Sequence, residues 1–300
     1  MPETEQTATI EERIAAIPIW KGGFSWQPLQ GGLSNESFSV EDSSGRYVVR
    51  FGRDFPFHHV FRDREIMATR AAHKAGFAPE LVFAEPGTMV SRFIEARTCS
   101  GDDIRQQMPR VVDVVRRFHQ EMARHVSGPG FMFWVFHVIR DYAATLRAGN
   151  SRMVEHLDGY LVLAEELEAA QVPLPIVYGH HDLLPANFMD DGEKLWLIDF
   201  EYAGFSTAMF DLAGIASNAE FSPDEARSLL DRYFQSPPDA ALRKSHAAMQ
   251  CASLLREAMW SMVSELHLNA PGADYVTYTT ENLDLLARSL DQYRTDYGKA

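Results

Sequence analysis

Three early stretches, SWQPLQ (25–30), ESFSVED (36–42) and RYVVRF (46–51), alternate apolar and polar residues and are rich in β-formers. That period of two predicts strands. Ser-Ser-Gly at 43–45 supplies a hairpin turn between the second and third, and the Gly-rich GGLSNES (31–37) joins the first to the second. Over 60–76 the pattern becomes helical and is closed by Gly76 and Pro79. ELVFAE (80–85) and TMVSRFI (88–94) read as two more strands about a Pro-Gly turn at 86–87. Before all of these, a short helix over 9–17 stops at Pro18, and residues 1–8 are expected to be disordered.

Beyond Ile94 the pattern is mostly helical, with apolar periodicity near 103–125, 134–148 and 151–170, and again near 208–219, 223–235, 239–267 and 274–296. Between these sets lies PLPIVYGHHDLLPANFMDDGEKLWLIDF (173–200), which reads as short strands around a loop at 180–187 and a tight turn at Asp190-Asp191-Gly192. The expected fold is α+β with two lobes: a small β-rich lobe over 9–94 and a larger helical lobe over 95–300 that holds one β-hairpin. No internal repeat or low-complexity segment interrupts it.

Composition narrows the partners. The chain has 28 Lys and Arg against 42 Asp and Glu, a net charge of −14, which argues against nucleic acid as the main partner. Two cysteines, Cys99 and Cys251, suggest no disulfide framework and fit a reducing compartment. The N-terminus, MPETEQTATIEER, has neither the basic start nor the apolar run of a leader. The most apolar stretch, FMFWVFHVI at 131–139, is far shorter than the roughly 20 residues of a spanning helix. A soluble cytoplasmic protein without stable membrane insertion is expected. The aromatic segment 127–140 suits either lobe packing or a subunit contact, which leaves a homodimer open.

The chemistry concentrates in HHDLLPAN (180–187) and the LIDFEYAG that follows. His180, Asp182 and Asn187 have the spacing H-x-D-x-x-x-x-N, and Asp199 closes an apolar run. Phosphoryl transfer needs one carboxylate to take the proton of an attacking hydroxyl. It also needs an amide oxygen and a second carboxylate to hold Mg²⁺. Taken singly, each of these residues is explained as a turn former; the joint pattern is much harder to reach by chance. A transition-metal site of His180, His181 and Asp182 is the weaker reading, because adjacent residues of an extended segment point to opposite faces.

HHDLLPAN together with LIDFEYAGFSTAMFDLA resembles the choline/ethanolamine kinase group of the protein-kinase-like fold, with aminoglycoside phosphotransferases as more distant relatives. The resemblance runs from about residue 24 to 295. It implies ATP and Mg²⁺ as cofactors, Asp182 as catalytic base, and Asn187 and Asp199 as metal ligands. His180 and Asp211 would support the loop. GGLSNES resembles the nucleotide loop, implicating Gly31, Gly32, Ser34 and Asn35. Arg50 would grip phosphates, with Glu65 as its partner on the following helix. Arg92, Phe93 and Ile94 resemble the hinge that binds adenine.

On the acceptor side, REAMWSMVSE (256–265) and DYVTY (274–278) resemble segments that supply an aromatic cage, giving Trp260, Tyr275 and Tyr278. An ordinary core role competes for each. Val263 stands where the eukaryotic members have a second Trp, and Asn218 where they have a pocket Glu. Glu201, Glu220 and Glu257 are the nearby carboxylates assigned to the acceptor. The implied activity is phosphorylation of a small amino alcohol, choline first and ethanolamine second. Thiamine or aminoglycoside phosphorylation is the enzyme alternative, and a non-catalytic nucleotide-binding protein the remaining one.

Overall fold

The computed structural model of the chain describes residues 8–29, 35–268 and 272–298. The first lobe begins with helix α1 (Ile10–Ala15), whose Thr9 and Glu12 form a capping box. Strands β1 (Ser25–Pro28), β2 (Asn35–Asp42) and β3 (Gly45–Gly52) lead to helix α2 (Arg62–Lys74), then to β4 (Leu81–Glu85) and β5 (Thr88–Arg92). The strands form one antiparallel sheet in the order β1-β2-β3-β5-β4.

The period of two sorts β3 cleanly. Tyr47, Val49 and Phe51 are buried with Phe38 and Val40 of β2, beneath Ile14 and Ile17. Full burial of such a side chain is worth about 1.5–3 kcal/mol. The alternate residue, Arg50, therefore emerges on the other face, toward α2.

The second lobe follows as β6 (Arg97–Thr98), α3 (Gly101–Gln106), α4 (Met108–Glu121), α5 (Val135–Ala148), α6 (Leu157–Ala169), β7 (Ile176–Gly179), β8 (Phe188–Asp190), β9 (Leu195–Leu197), β10 (Gly204–Thr207), α7 (Met209–Asn218), α8 (Pro223–Phe234), α9 (Ala240–His267) and α10 (Tyr275–Tyr297). The helix expected over 103–125 is divided at Gln107, which ends α3 outside helical geometry, and Pro109 sits in the first turn of α4. Buried α9 runs through the lobe and packs against α5, α6, α7 and α10.

The 180–187 loop differs from a simple hairpin. β7 pairs with β10, whereas β8 pairs with β9 and β6. The loop therefore bridges two small sheets, and the β8–β9 hairpin carries Asn187 just before it and Asp199 just after. Among the described residues no helix is long and apolar enough to cross a membrane.

Candidate active site

The loop is held from below by Asp211 in the first turn of α7. One oxygen of its carboxylate accepts the backbone N–H of His180 and the other that of His181, each at 2.7 Å. His119 of α4 contacts the same carboxylate at 2.8 Å and the Tyr233 hydroxyl at 2.7 Å. Burial opposes its ionisation, but the His119 hydrogen bond and the neighbouring imidazoles of His181 and His180 hold the Asp211 carboxyl well below its usual range. The His180 side chain, fully buried, bonds the Ile198 carbonyl at 3.0 Å and so ties the loop to the segment just after β9. His181 has φ +63° and Gly179 leaves no room for a side chain: a Cβ there would fall on the His181 ring and 3.0 Å from Asp211 Oδ2.

So supported, Asp182 opens onto a cavity it shares with Asn218, Arg256, Glu257 and Asn282. Burial first, and then the nearby Asp199 charge, raise its carboxyl well above the usual range, with Arg256 opposing. The Asn187 amide nitrogen donates to the Asp182 carbonyl (2.7 Å) and carboxylate (3.1 Å). Its amide oxygen is left as the atom able to meet a cation. Asp199 has φ +68°, a left-handed conformation uncommon outside glycine, and its carboxylate lies 3.1 Å from Arg50. Asn187 and Asp199 thus present hard oxygen donors on one hairpin, a set that suits Mg²⁺, which keeps several of its own waters.

Arg50 also lies 3.0 Å from Glu65. Buried Arg62 extends this network, reaching Glu65 at 2.6 Å and Glu201 at 3.0 Å. It ties α2 to the segment after Asp199. Glu201 therefore sits at the junction between the lobes and does not line the cavity at Asp182. Asn35 lies beside Arg50 and Arg62 at the edge of the same junction. Gly31, Gly32 and Ser34 lie outside the described residues.

Three expectations change. The Arg92 and Phe93 N–H groups donate to the Glu80 and Arg46 carbonyls, at 2.8 and 3.0 Å, so neither N–H is open to adenine and their part in a hinge falls to the carbonyls. Glu220 is exposed on the turn after α7 and does not line the cavity, whereas Asn218 and Glu257 do. Trp260, Tyr275 and Tyr278 do come together, but around one another. Trp260 meets both tyrosines at near right angles, with ring centroids 6.3 Å apart, and donates to the Tyr202 hydroxyl at 3.1 Å. Tyr275 is buried in the core, and Tyr278 donates to Glu257 at 2.8 Å.

Three further residues of the site escape a sequence reading: Arg62, His119 and Arg256. Arg256 had a signal, since it falls among the buried positions Ala252, Leu255, Met259 and Val263 of α9. A charge at such a position is rarely without a role.

The phosphotransferase enzyme family matches residues 25–246 of the chain. A probable ethanolamine kinase of Arabidopsis thaliana is 28% identical over 280 residues, covering 80% of this chain and 73% of its own. The LicA protein of Haemophilus influenzae is 25% identical over 282 residues, covering 87% and 79%. In structure, a choline/ethanolamine kinase family protein of Mesorhizobium loti superposes with a TM-score of 0.77 at 26% identity, over 95% of this chain and 97% of its own.

Proposed function

The chain belongs to the phosphotransferase enzyme family, and from that premise we propose that it transfers the terminal phosphoryl group of ATP, with Mg²⁺, to the hydroxyl of a small amino alcohol of the choline and ethanolamine kind. One observation carries the reading. Asp182, with its proton affinity raised, shares a cavity with Arg256 and Glu257 while Asn187 joins it to the metal-side hairpin. The names of the relatives, an ethanolamine kinase and a choline/ethanolamine kinase family protein, point to the same class of acceptor.

In this mechanism Asp182 accepts the hydroxyl proton as the oxygen attacks phosphorus. A carboxylate whose pKa is raised is a stronger base than an ordinary one. Asn187 and Asp199 would hold Mg²⁺, which supplies positive charge against the phosphates. Arg50, kept in place by Glu65 and Asp199, presents its guanidinium on the same side. Arg62 fixes Glu65 relative to the loop, so nucleotide and acceptor sides keep one geometry.

The test is Mg²⁺-dependent ADP release from ATP with choline, ethanolamine, thiamine or an aminoglycoside as acceptor. Strong stimulation by choline or ethanolamine is expected. Stimulation by the aminoglycoside alone, or by none while ATP still binds, would sink the reading.

A further inference from the structure

A quaternary ammonium has no N–H to donate. It is held by aromatic faces and by charge. Trp260 is the indole that gathers Tyr275 and Tyr278, and one of its faces is already covered. The His58 ring stacks on Trp260 with centroids 5.1 Å apart and an interplanar angle of 27°. Tyr275 and Tyr278 flank the same indole. His58 thus covers a face of Trp260 on which a cation would otherwise rest.

His58 is firmly held there. It is 2% exposed, and its two ring nitrogens bond the Tyr142 hydroxyl at 3.2 Å and Ser264 Oγ at 3.0 Å. Its segment leaves the first lobe between β3 and α2 and closes on itself, with Phe55 and Val60 exchanging backbone hydrogen bonds at 2.9 and 3.1 Å. Next to it, Phe57 stacks on His267 at 4.6 Å.

The cavity at Asp182 offers a different kind of site. Glu257 is held there by Tyr278 on one oxygen and by Arg256 on the other, each at 2.8 Å. Each carboxylate oxygen keeps a further lone pair. Asn282 donates through its nitrogen to the Tyr278 carbonyl at 2.9 Å, which leaves its oxygen as an acceptor. These groups accept hydrogen bonds, and an ammonium bearing N–H donates them.

We propose that His58 closes Trp260 to quaternary ammonium groups and that Glu257 reads the acceptor through N–H donors. The enzyme then phosphorylates amino alcohols whose nitrogen keeps at least one N–H and discriminates against trimethylated ones. The proposal rests on the amino-alcohol kinase reading and specifies its acceptor.

The test is kcat/KM for ethanolamine, N-methylethanolamine, N,N-dimethylethanolamine and choline at saturating ATP and Mg²⁺. The first three should agree within about tenfold, and choline should fall a further tenfold or more, mainly through KM, as a lost charge-assisted hydrogen bond does. His58→Ala should narrow the gap for choline. It should also make tetramethylammonium quench a fluorescence component that disappears in the His58→Ala, Trp260→Phe double variant. Choline as good as the dimethyl acceptor in the unaltered enzyme would overturn the proposal alone, and a tenfold loss for choline in Trp260→Phe would overturn the closure of that indole by His58. Turnover of none of the four would overturn it together with the kinase reading. Should His58→Ala not fold, the wild-type series still decides.

Discussion

The guanidinium of Arg50 lies 3.1 Å from the carboxylate of Asp199, across 149 residues of chain. With a second nitrogen it lies 3.0 Å from Glu65. One fork thus spans a helix of the first lobe and the metal-side hairpin of the second. A lysine carries one ammonium and cannot reproduce two directed contacts. Arg50→Lys should lower kcat/KM for ATP by roughly 10–100-fold, about 1.4–2.8 kcal/mol. An unchanged value in the folded variant would remove Arg50 from the nucleotide side.

Asp182 separates activity from stability. As the base, its replacement by Asn should lower kcat by roughly 10²–10⁴, about 3–5 kcal/mol. Its pKa is raised by burial, so the ionised form costs the folded state stability at neutral pH. Asp182→Asn should therefore melt no lower than the parent chain. Activity loss under tenfold would exclude Asp182 as the base, and a clear fall in Tm would contradict its destabilising charge.

Asp211 behaves in the opposite way. Asp211→Ala leaves the buried N–H groups of His180 and His181 unpaired, and each such loss costs about 1–3 kcal/mol. Tm should drop by roughly 10 °C, and activity should fall with it. Gly179→Ala should produce the same pair of effects, because its Cβ collides with the His181 ring. Thermal melting beside kcat checks both, and an unperturbed Gly179→Ala would show that the loop has slack.

The parts that were legible in the sequence are those written in local spacing. Alternation over 36–51 locates β2 and β3 because each face of a strand meets a different environment. The run from Asp182 to Asn187 is legible because the loop is continuous in sequence. The α+β fold with its two lobes follows from the same signals and matches the solved relative. Strand pairing was not legible: nothing in IVYG distinguishes β10 from β8 as its neighbour. The acceptor side was hidden for a related reason. His58 reaches Ser264 across 206 residues, and no local pattern marks a histidine that will stack on a distant tryptophan.

Buried histidines set the acid limit of the fold. His246 on α9 is fully buried, and desolvation pushes its imidazole from an ordinary value near 6.5 down to about 4. His58 is pushed to about 3 by burial and by the Arg256 charge. Each is neutral in the folded chain and takes a proton near 6.5 once unfolded. Between those values the unfolded state binds more protons, so stability is full above about pH 6.5 and is lost as pH falls toward 4. For His246 alone the loss is about 3 kcal/mol. Asp211 acts later: its depressed pKa gives stability that is present above the ordinary carboxyl range and is lost only below it. Urea midpoints at pH 7, 6, 5 and 4 should therefore fall steadily, and His246→Asn should flatten the slope. Parallel lines for the two chains would show that His246 is already protonated in the folded state, against the burial that surrounds it.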